Sequence, residues 1–176
     1  LFNKALEIIE AKEFFNLRAS EIEVVIHPES LVHAIACFQD GGLKAHLGPA
    51  DMRHAIAYAL HEEKRLKLSL DEINLAEIGK LHFYEPDLEK YPSLKLGFEV
   101  VEHGGLAGAA FNAAKEEALD NFINYKLSFP GMADVVRATM DELNSRNELD
   151  NELEIERIME LDLLARSIAK KYVEKI

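Results

Sequence analysis

The sequence predicts an α+β protein in which a partial α/β sheet domain is followed by a linker and an all-helical C-terminal bundle. Short alternating apolar segments and a strong turn signal occupy residues 1–61, whereas almost continuous helical periodicity runs through residues 88–176. Between them, residues 62–87 carry charges, short apolar patches and proline, which is typical of a connecting segment. We therefore expect three pieces with these boundaries.

The first element is predicted to be a helix over residues 1 to about 15. The side chains of Phe2, Ala5, Leu6 and Ile9 recur at helical spacing and form one apolar stripe. Such a stripe is expected to face a core.

A strand and a hairpin are predicted next. Residues 21–27 are rich in β-branched side chains and alternate in part, and Pro28 ends this strand because it has no amide hydrogen to give to a ladder. Residues 32–39 and 43–47 flank Asp40-Gly41-Gly42, which is a strong turn signal, so these two segments are expected to pair.

Helices are predicted for most of the remaining chain. Asp51 is expected to cap a short helix that runs to about His61. Longer amphipathic segments, separated by glycine, proline or polar residues, predict helices at about 93–103, 106–125, 130–144 and 151–175. Short connections between such helices favour an antiparallel bundle.

Composition excludes several classes of function. The 176 residues carry a formal net charge of −12, which argues against a nucleic-acid surface. No apolar run approaches the roughly 18 residues of a membrane span, so we expect no membrane partner. Cys37 is the single cysteine, which excludes a disulfide framework and a cysteine-based zinc site within one chain. A reducing compartment, the cytoplasm, is consistent with this usage.

Three polar side chains are expected on the face of the first helix opposite its apolar stripe. Glu7 lies four residues after Asn3 and three after Lys4, so the three share one side of the helix. A carboxylate, an ammonium and an amide together can hold an anionic sugar phosphate and a hard divalent cation. From residue types alone, a solvated face with a weak ion pair is the alternative.

The wider sequence resembles the 1-deoxy-D-xylulose 5-phosphate reductoisomerase family. Residues 3–11 read NKALEIIEA, similar to the family signature Asn-Lys-x-Leu-Glu-x-Ile-Glu-Ala, and residues 27–33 read HPESLVH, similar to its His-Pro-Gln-Ser-x-x-His. Further matches in family order are QDG at 39–41, DMR at 51–53, YPSLKL at 91–96, NAAKE at 112–116 and LDLLAR at 161–166. The first piece, 1–61, is then the C-terminal portion of the family's catalytic domain.

This resemblance implies an NADPH-dependent enzyme of non-mevalonate isoprenoid biosynthesis that also needs a divalent metal, Mg²⁺ or Mn²⁺. It converts 1-deoxy-D-xylulose 5-phosphate to 2-C-methyl-D-erythritol 4-phosphate. By position, Glu7 is implied to be one of three carboxylate metal ligands and to lie in the substrate site, with Asn3 and Lys4 at the phosphate end of the substrate. His33 is implied to lie close to the active site as a catalytic candidate, and Met52 to form an apolar wall beside substrate or nicotinamide.

The resemblance also implies a homodimer joined largely through sheet regions of the catalytic domain, with residues 21–47 contributing. No cofactor-binding residue is assigned here, because the sequence contains no G-x-G-x-x-G. The chain starts without methionine inside a helical pattern, so we expect a fragment whose nucleotide-binding domain, other metal carboxylates, phosphate-binding serines and flap lie upstream. Such a fragment is expected to be inactive alone.

The sequence departs from the family pattern in three places. Pro49-Ala50 stands where the family reads Glu-Pro, Glu29 replaces glutamine and Lys115 replaces asparagine. The first departure leaves open a reductoisomerase-like enzyme with a different substrate.

A second alternative is a non-catalytic acidic module whose helices bind a partner. No role is predicted for the histidines outside the motif position His33, and Cys37 is expected to be a small core residue.

Overall fold

The computed structural model describes residues 1–62, 64–150 and 152–175. These residues form two compact units, one made of Leu1–Val24 with Asp87–Ile176 and the other of Val25–Pro86. In chain order the helices and strands are α1 (Phe2–Phe15), β1 (Val32–Cys37), β2 (Leu43–Leu47), α2 (Met52–Leu60), α3 (Leu75–Ile78), α4 (Pro92–His103), α5 (Ala107–Ile123), α6 (Gly131–Ser145) and α7 (Ile155–Val173).

The predicted helices are confirmed with small changes at their ends. Helix α1 stops at Asn16, which adopts the left-handed conformation (φ 52°), and α4 begins with Pro92 in its first turn, where a missing amide hydrogen costs nothing. Asp51 caps α2 as predicted, because its side chain accepts a hydrogen bond from the backbone N–H of Arg53. Asn151, the first residue predicted for the last helix, lies outside the described residues.

The core of the first unit is helical. Helix α5 presents alanines to its neighbours, and this small-residue surface lets α7 and α6 approach closely around the fully buried Phe111. The buried alanines of α5 are Ala107, Ala110, Ala113, Ala114 and Ala118. Helix α1 packs against α4 and α5 through the buried Ala5 and Ile8, with Phe2, Leu6 and Ile9 partly buried. The predicted apolar stripe of α1 therefore does face a core.

Charged pairs connect the helices at the rim of this core. Arg166 on α7 donates to Asp162 at 2.7 Å and to Glu116 on α5 at 2.6 Å. Arg137 on α6 pairs with Glu99 on α4. These pairs are partly exposed, so each adds at most about 1 kcal/mol, and their main effect is to fix the rotation of one helix against the next.

The second unit contains the predicted hairpin. Strands β1 and β2 are antiparallel, and Gly41 supplies the positive φ of 84° that the connecting turn requires. Asp40 completes the turn by accepting a hydrogen bond from the N–H of Gly42 at 2.9 Å. Residues 62–86 contain the short α3, and Tyr84 makes an isolated bridge; the rest of their described part is irregular.

Two expectations were wrong. Residues 21–27 do not form a strand: Ala19–Glu21 is a 3₁₀ turn, and only Ile26 makes a bridge, with Tyr84. The reason is that Ile22 and Val24 pack against the cluster of Ile8, Leu94 and Val101, so their apolar side chains are buried by helices rather than by strands. Cys37 is exposed at the end of β1 and is not a core residue.

The packing also joins residues from both ends of the chain, because α1 belongs to the helical unit. The domain boundaries 1–61, 62–87 and 88–176 stay a prediction. No helix in the described part of the chain is long and apolar enough to cross a membrane.

The contact between α1 and α4 generates a prediction. A Cβ at Gly97 would lie 2.8 Å from the Cβ and 2.9 Å from the Cα of Ala5. Gly97→Ala should therefore destabilise the chain by about 1–2 kcal/mol, since overpacking costs about 1–3 kcal/mol and the better helix propensity of alanine returns at most about 1 kcal/mol. Urea unfolding followed by circular dichroism at 222 nm measures this.

Two variants make the test specific. The double variant Ala5→Gly/Gly97→Ala moves the methyl group to the other helix and should recover most of the loss. Gly108→Ala on α5 is the matched control, because a Cβ there meets a side-chain methyl, Cγ2 of Ile9, at 3.1 Å, whereas the Cβ at Gly97 meets the backbone of Ala5. A double variant no more stable than Gly97→Ala would contradict the assigned contact.

Candidate active site

The polar face of α1 is the first part of the candidate site. Its position follows from burial of the opposite stripe, which leaves Asn3, Lys4 and Glu7 on the outside. The side chains of Lys4 and Glu7 are 43% and 42% exposed, so both can reach a ligand in solvent without leaving the helix surface.

The three side chains form one hydrogen-bonded network. The amide of Asn3 donates to Glu7 Oε1 at 2.8 Å, and the ammonium of Lys4 donates to Glu7 Oε2 at 2.7 Å. Each carboxylate oxygen therefore has one donor and keeps lone-pair capacity for a second partner. A rigid helix holds an anion, a cation and an amide within contact of one another.

The chemistry of this face suits a hard cation and an anion. Carboxylate oxygens are the ligands that Mg²⁺ and Mn²⁺ prefer, and Glu7 offers them from a helix. In the described part of the chain, no group of three or more His, Cys, Asp or Glu side chains is arranged to hold a metal. Glu7 could supply one carboxylate to such a cation.

His33 lies in the second unit at an irregularity of the hairpin. Val32 pairs with Leu47 and Ala34 pairs with His46, so His33 is the extra residue of a β-bulge. The bulge turns the ring so that Nε2 lies 3.1 Å from the carbonyl oxygen of Gly48. Because a carbonyl only accepts, Nε2 of His33 carries the hydrogen.

Met52 is the first residue of α2 and is 71% exposed. The residue before it, Asp51, has a carboxylate that accepts hydrogen bonds from the side chain of Arg53 at 2.6 and 3.0 Å. These bonds lower the pKa of Asp51 to about 2, so the helix start stays negatively charged at neutral pH. Met52 is therefore held on an ordered helix turn with its apolar side chain open to solvent.

Glu29, one of the departures from the family pattern, has a structural role in this unit. Its carboxylate contacts Nδ1 of His82 at 2.5 Å and Nδ1 of His27 at 3.0 Å, and it also accepts from the backbone N–H of His82. The bond from His82 lowers the pKa of Glu29 to about 2. Glu29 thus connects the segment that follows Ile26 to the segment that precedes Tyr84. Ile26 and Tyr84 themselves form an isolated antiparallel bridge.

The structure groups the predicted site residues into two sets. Asn3, Lys4 and Glu7 are in contact in the first unit, and His33 and Met52 belong to the second. No sequence pattern predicted that the rings of His46 and His54 are stacked, with centroids 5.5 Å apart, or that the ring of His46 lies 6.3 Å from that of His33. The only signal was that all three histidines lie within 15 residues or so of Gly48, and such spacing has no meaning until the hairpin closes.

Comparison with known proteins decides the family. The family described as "DXP reductoisomerase C-terminal domain" matches residues 47–168, well over half of the chain. The chain belongs to the DXP reductoisomerase family.

Individual DXP reductoisomerases agree with this assignment. The chain is 49% identical over 170 residues to the 1-deoxy-D-xylulose 5-phosphate reductoisomerase of Jannaschia sp. (strain CCS1), covering 96% of this chain and 43% of the relative. It is 48% identical over 174 residues to that of Ruegeria sp. (strain TM1040), covering 98% and 44%. The chain thus spans a little under half the length of these relatives.

Solved DXP reductoisomerase structures share the fold. A crystal structure of DOX-P reductoisomerase in complex with NADPH, fosmidomycin and magnesium superimposes with a TM-score of 0.93 at 35% identity, over 98% of this chain and 44% of that one. The enzyme from Zymomonas mobilis in complex with NADPH gives a TM-score of 0.87 at 30% identity, over 99% and 45%.

The Glu29 contacts generate a prediction of pH dependence. Because its folded pKa is lowered from 4.5 to about 2, Glu29 contributes stability that is present above about pH 4.5 and is lost as the pH falls toward 2. We expect the amide resonance of Tyr84 to shift over this window in the parent chain. In Glu29→Gln that acid transition should be absent, as measured by NMR.

Glu77→Gln is the matched control, since Glu77 lies in the same unit and accepts a local hydrogen bond from Asn74, at 2.8 Å. An acid transition at Tyr84 that persists in Glu29→Gln would show that another carboxyl group controls the bridge.

Proposed function

We propose that this chain is part of an NADPH- and metal-dependent reductoisomerase that converts 1-deoxy-D-xylulose 5-phosphate to 2-C-methyl-D-erythritol 4-phosphate in non-mevalonate isoprenoid biosynthesis. Family membership supports this proposal, and so do the ligands of the similar structures, which hold NADPH and magnesium. The observation that carries it is the contact network of Asn3, Lys4 and Glu7 on one exposed helix face.

In this proposal Glu7 is one ligand of Mg²⁺ or Mn²⁺ and also borders the substrate. Asn3 and Lys4 bind the phosphate end of the sugar phosphate. An ammonium gives the phosphate a compact positive charge, and an amide adds directional hydrogen bonds. Together they fix the position of the substrate relative to the carboxylate. Binding of the phosphate end thus orients the reacting end of the substrate.

The observed network implies an exchange of partners. Lys4 occupies Glu7 Oε2 at 2.7 Å, and its positive charge opposes a cation on the same carboxylate. A substrate phosphate offers Lys4 a better partner, with more negative charge. When Lys4 turns to the phosphate, Oε2 of Glu7 becomes available to the metal. Substrate and metal are therefore expected to favour each other's binding.

His33 and Met52 are proposed to border the same reaction. His33 Nε2 is engaged with the Gly48 carbonyl, so the ring acts from a fixed orientation and a fixed tautomer. Met52 offers a flexible apolar surface beside the substrate or the nicotinamide. The metal, when bound, supplies Lewis-acid polarisation of the ketone, and NADPH supplies the hydride.

The assembly is proposed on the same grounds. We propose that residues 1–61 complete a catalytic domain, that 62–87 link it to a helical domain at 88–176, and that the enzyme is a cytoplasmic homodimer. The hairpin supports the first part of this: both strands are mostly exposed, and Phe38 and Leu43 are 55% and 69% exposed beside its turn. Such a surface is suited to pairing with further strands.

Replacing Glu7 tests the proposal directly. In the complete enzyme, Glu7→Gln keeps the shape and removes the charge from the metal site. Loss of residues that only support metal ligands costs about 10–100-fold, so loss of a ligand should lower kcat by at least about 100-fold. Added Mg²⁺ or Mn²⁺ should restore part of it, and the affinity for NADPH should hardly change. Steady-state kinetics at several metal concentrations measure this.

Glu13→Gln is the matched control, because Glu13 lies on the same helix and forms an ion pair with Lys12, not with Asn3 or Lys4. It should leave kcat unchanged. A Glu7→Gln enzyme with nearly parental activity at ordinary metal concentration would overturn the ligand assignment. Turnover of a different sugar phosphate in preference to 1-deoxy-D-xylulose 5-phosphate would instead favour the altered-substrate alternative.

The 176-residue chain by itself gives a second test. Because its sequence contains no G-x-G-x-x-G, we expect no saturable NADPH binding in the micromolar range. Isothermal titration calorimetry measures this, and a one-to-one isotherm would mean that the cofactor site lies within these residues.

A further inference from the structure

Three histidines from different elements surround Gly48. His33 comes from β1, His46 from β2 and His54 from α2. A Cβ placed on the buried Gly48 would lie 3.6 Å from Nδ1 of His54 and 3.7 Å from Nε2 of His46, so the two rings lie directly against its Cα. The ring of His33 contacts the other side of the residue through the carbonyl, at 3.1 Å.

Gly48 begins a short loop that ends at the start of α2. The N–H of Gly48 donates to the carbonyl of Leu31 at 3.0 Å, and the N–H of Asp51 donates to the carbonyl of Pro49 at 2.7 Å. Met52 follows immediately. The position of Gly48 therefore sets where this loop starts, and Pro49-Ala50 is the segment in which the sequence departs from the family pattern.

A fixed positive charge lies beside the histidines. Arg65 Nη1 is 3.3 Å from Nε2 of His54. Since arginine only donates, Nε2 of His54 accepts this hydrogen bond. Arg65 is itself held over the ring of Tyr58, 4.3 Å from its centroid.

The pKa of His46 is affected by all of its charged and titratable neighbours in this cluster. Its pKa is lowered below the ordinary value of 6.5, first by loss of hydration and then by His54, Arg65 and His33. Although part of the side chain is exposed, its Nε2 lies against buried Gly48. The nearest acidic group of the loop, Asp51, is occupied by Arg53 and cannot offset these positive charges.

We propose that His46 and His54 are positioning residues: with His33 they hold Gly48, and through it the 48–51 loop and Met52, in place, and a proton on His46 weakens this hold. This inference rests on the proposed function for the role of Met52. A proton on His46 would put a cation beside Arg65 and His54, and the ring would leave Gly48 for solvent. The loop would then lose one side of its support.

The sign of the pH effect follows from the direction of the shift. A histidine whose folded pKa lies below the unfolded value contributes stability above the unfolded value, and this contribution is lost as the pH falls. For His46 the loss begins below about pH 6.5. The His46 ring is therefore expected to contact Gly48 at neutral pH and to leave it in mild acid.

The experiment is an NMR titration of the 176-residue chain between pH 7.5 and 5. We expect the amide resonances of Gly48 and Met52 to move with the same midpoint as the His46 ring, below pH 6.5. In His46→Gln, which is neutral throughout, most of this movement should disappear, and the loop at pH 5.5 should resemble the parent at pH 7.5. A merely structural role for the ring would not give this recovery.

His54→Gln is the second variant. It removes one of the groups that lower the pKa of His46, so the midpoint of the His46 ring should move up toward 6.5. His103→Gln is the control, because His103 pairs with Asp150 in the other unit, at 3.1 Å, and should leave the loop titration unchanged. If His46→Gln does not fold, the direction of the midpoint shift in His54→Gln decides the question.

Two results would overturn the proposal: resonances of Gly48 and Met52 that stay fixed down to pH 5, or an unchanged titration in His46→Gln. Neither measurement needs turnover, so its outcome is separate from that of the proposed function.

In the complete enzyme, KM for 1-deoxy-D-xylulose 5-phosphate should rise between pH 7.5 and 5.5 by a larger factor in the parent than in His46→Gln, with kcat changing equally in both. Equal changes in KM would show that the loop does not position the substrate.

Discussion

The burial of one stripe of α1 is the constraint on which the polar face depends. Ala5 is completely buried, and Gly97 on α4 is the residue that lets the two backbones approach. With that stripe fixed inward, the helical repeat places Asn3, Lys4 and Glu7 outward together, and hydrogen bonds among them need no further support. A rotation of α1 about its axis would turn the carboxylate of Glu7 away from solvent, where a ligand can reach it.

The helical unit holds α1 through packing and through charge. Alanines on α5 permit close helix contacts, and partly exposed ion pairs fix the rotation of neighbouring helices. The pair between Arg166 and Glu116 joins two segments that resemble the family pattern, residues 161–166 and 112–116. Within these segments, Leu161 and Ala165 of α7 and Ala113 and Ala114 of α5 are completely buried between helices.

In the second unit, hydrogen bonds of polar side chains hold distant segments together. In the first unit, apolar packing between helices has this role. The hairpin strands are mostly exposed, and its ends are held by histidines: His33 on Gly48, and His82 on Glu29. A unit stabilised in this way responds to protons, since imidazole and carboxylate groups change charge in accessible pH ranges. The lowered pKa values of Glu29 and His46 act in the same direction, because each favours the form present at neutral pH.

The sequence by itself determined the helices, the hairpin turn, the cap at Asp51 and the shared face of Asn3, Lys4 and Glu7. These features depend on residues a few positions apart, so local periodicity, positive φ at Gly41 and side-chain capping are sufficient to predict them. The strand predicted for residues 21–27 was wrong, because their alternation is equally compatible with burial against helices. Only the packing of Ile22 and Val24 distinguishes a strand from a segment buried by helices. Tertiary structure alone decided that His33, His46 and His54 meet at Gly48, since they come from two strands and a helix. A one-residue bulge re-aims His33, and hydrogen bonding between distant groups has no signature in a single sequence.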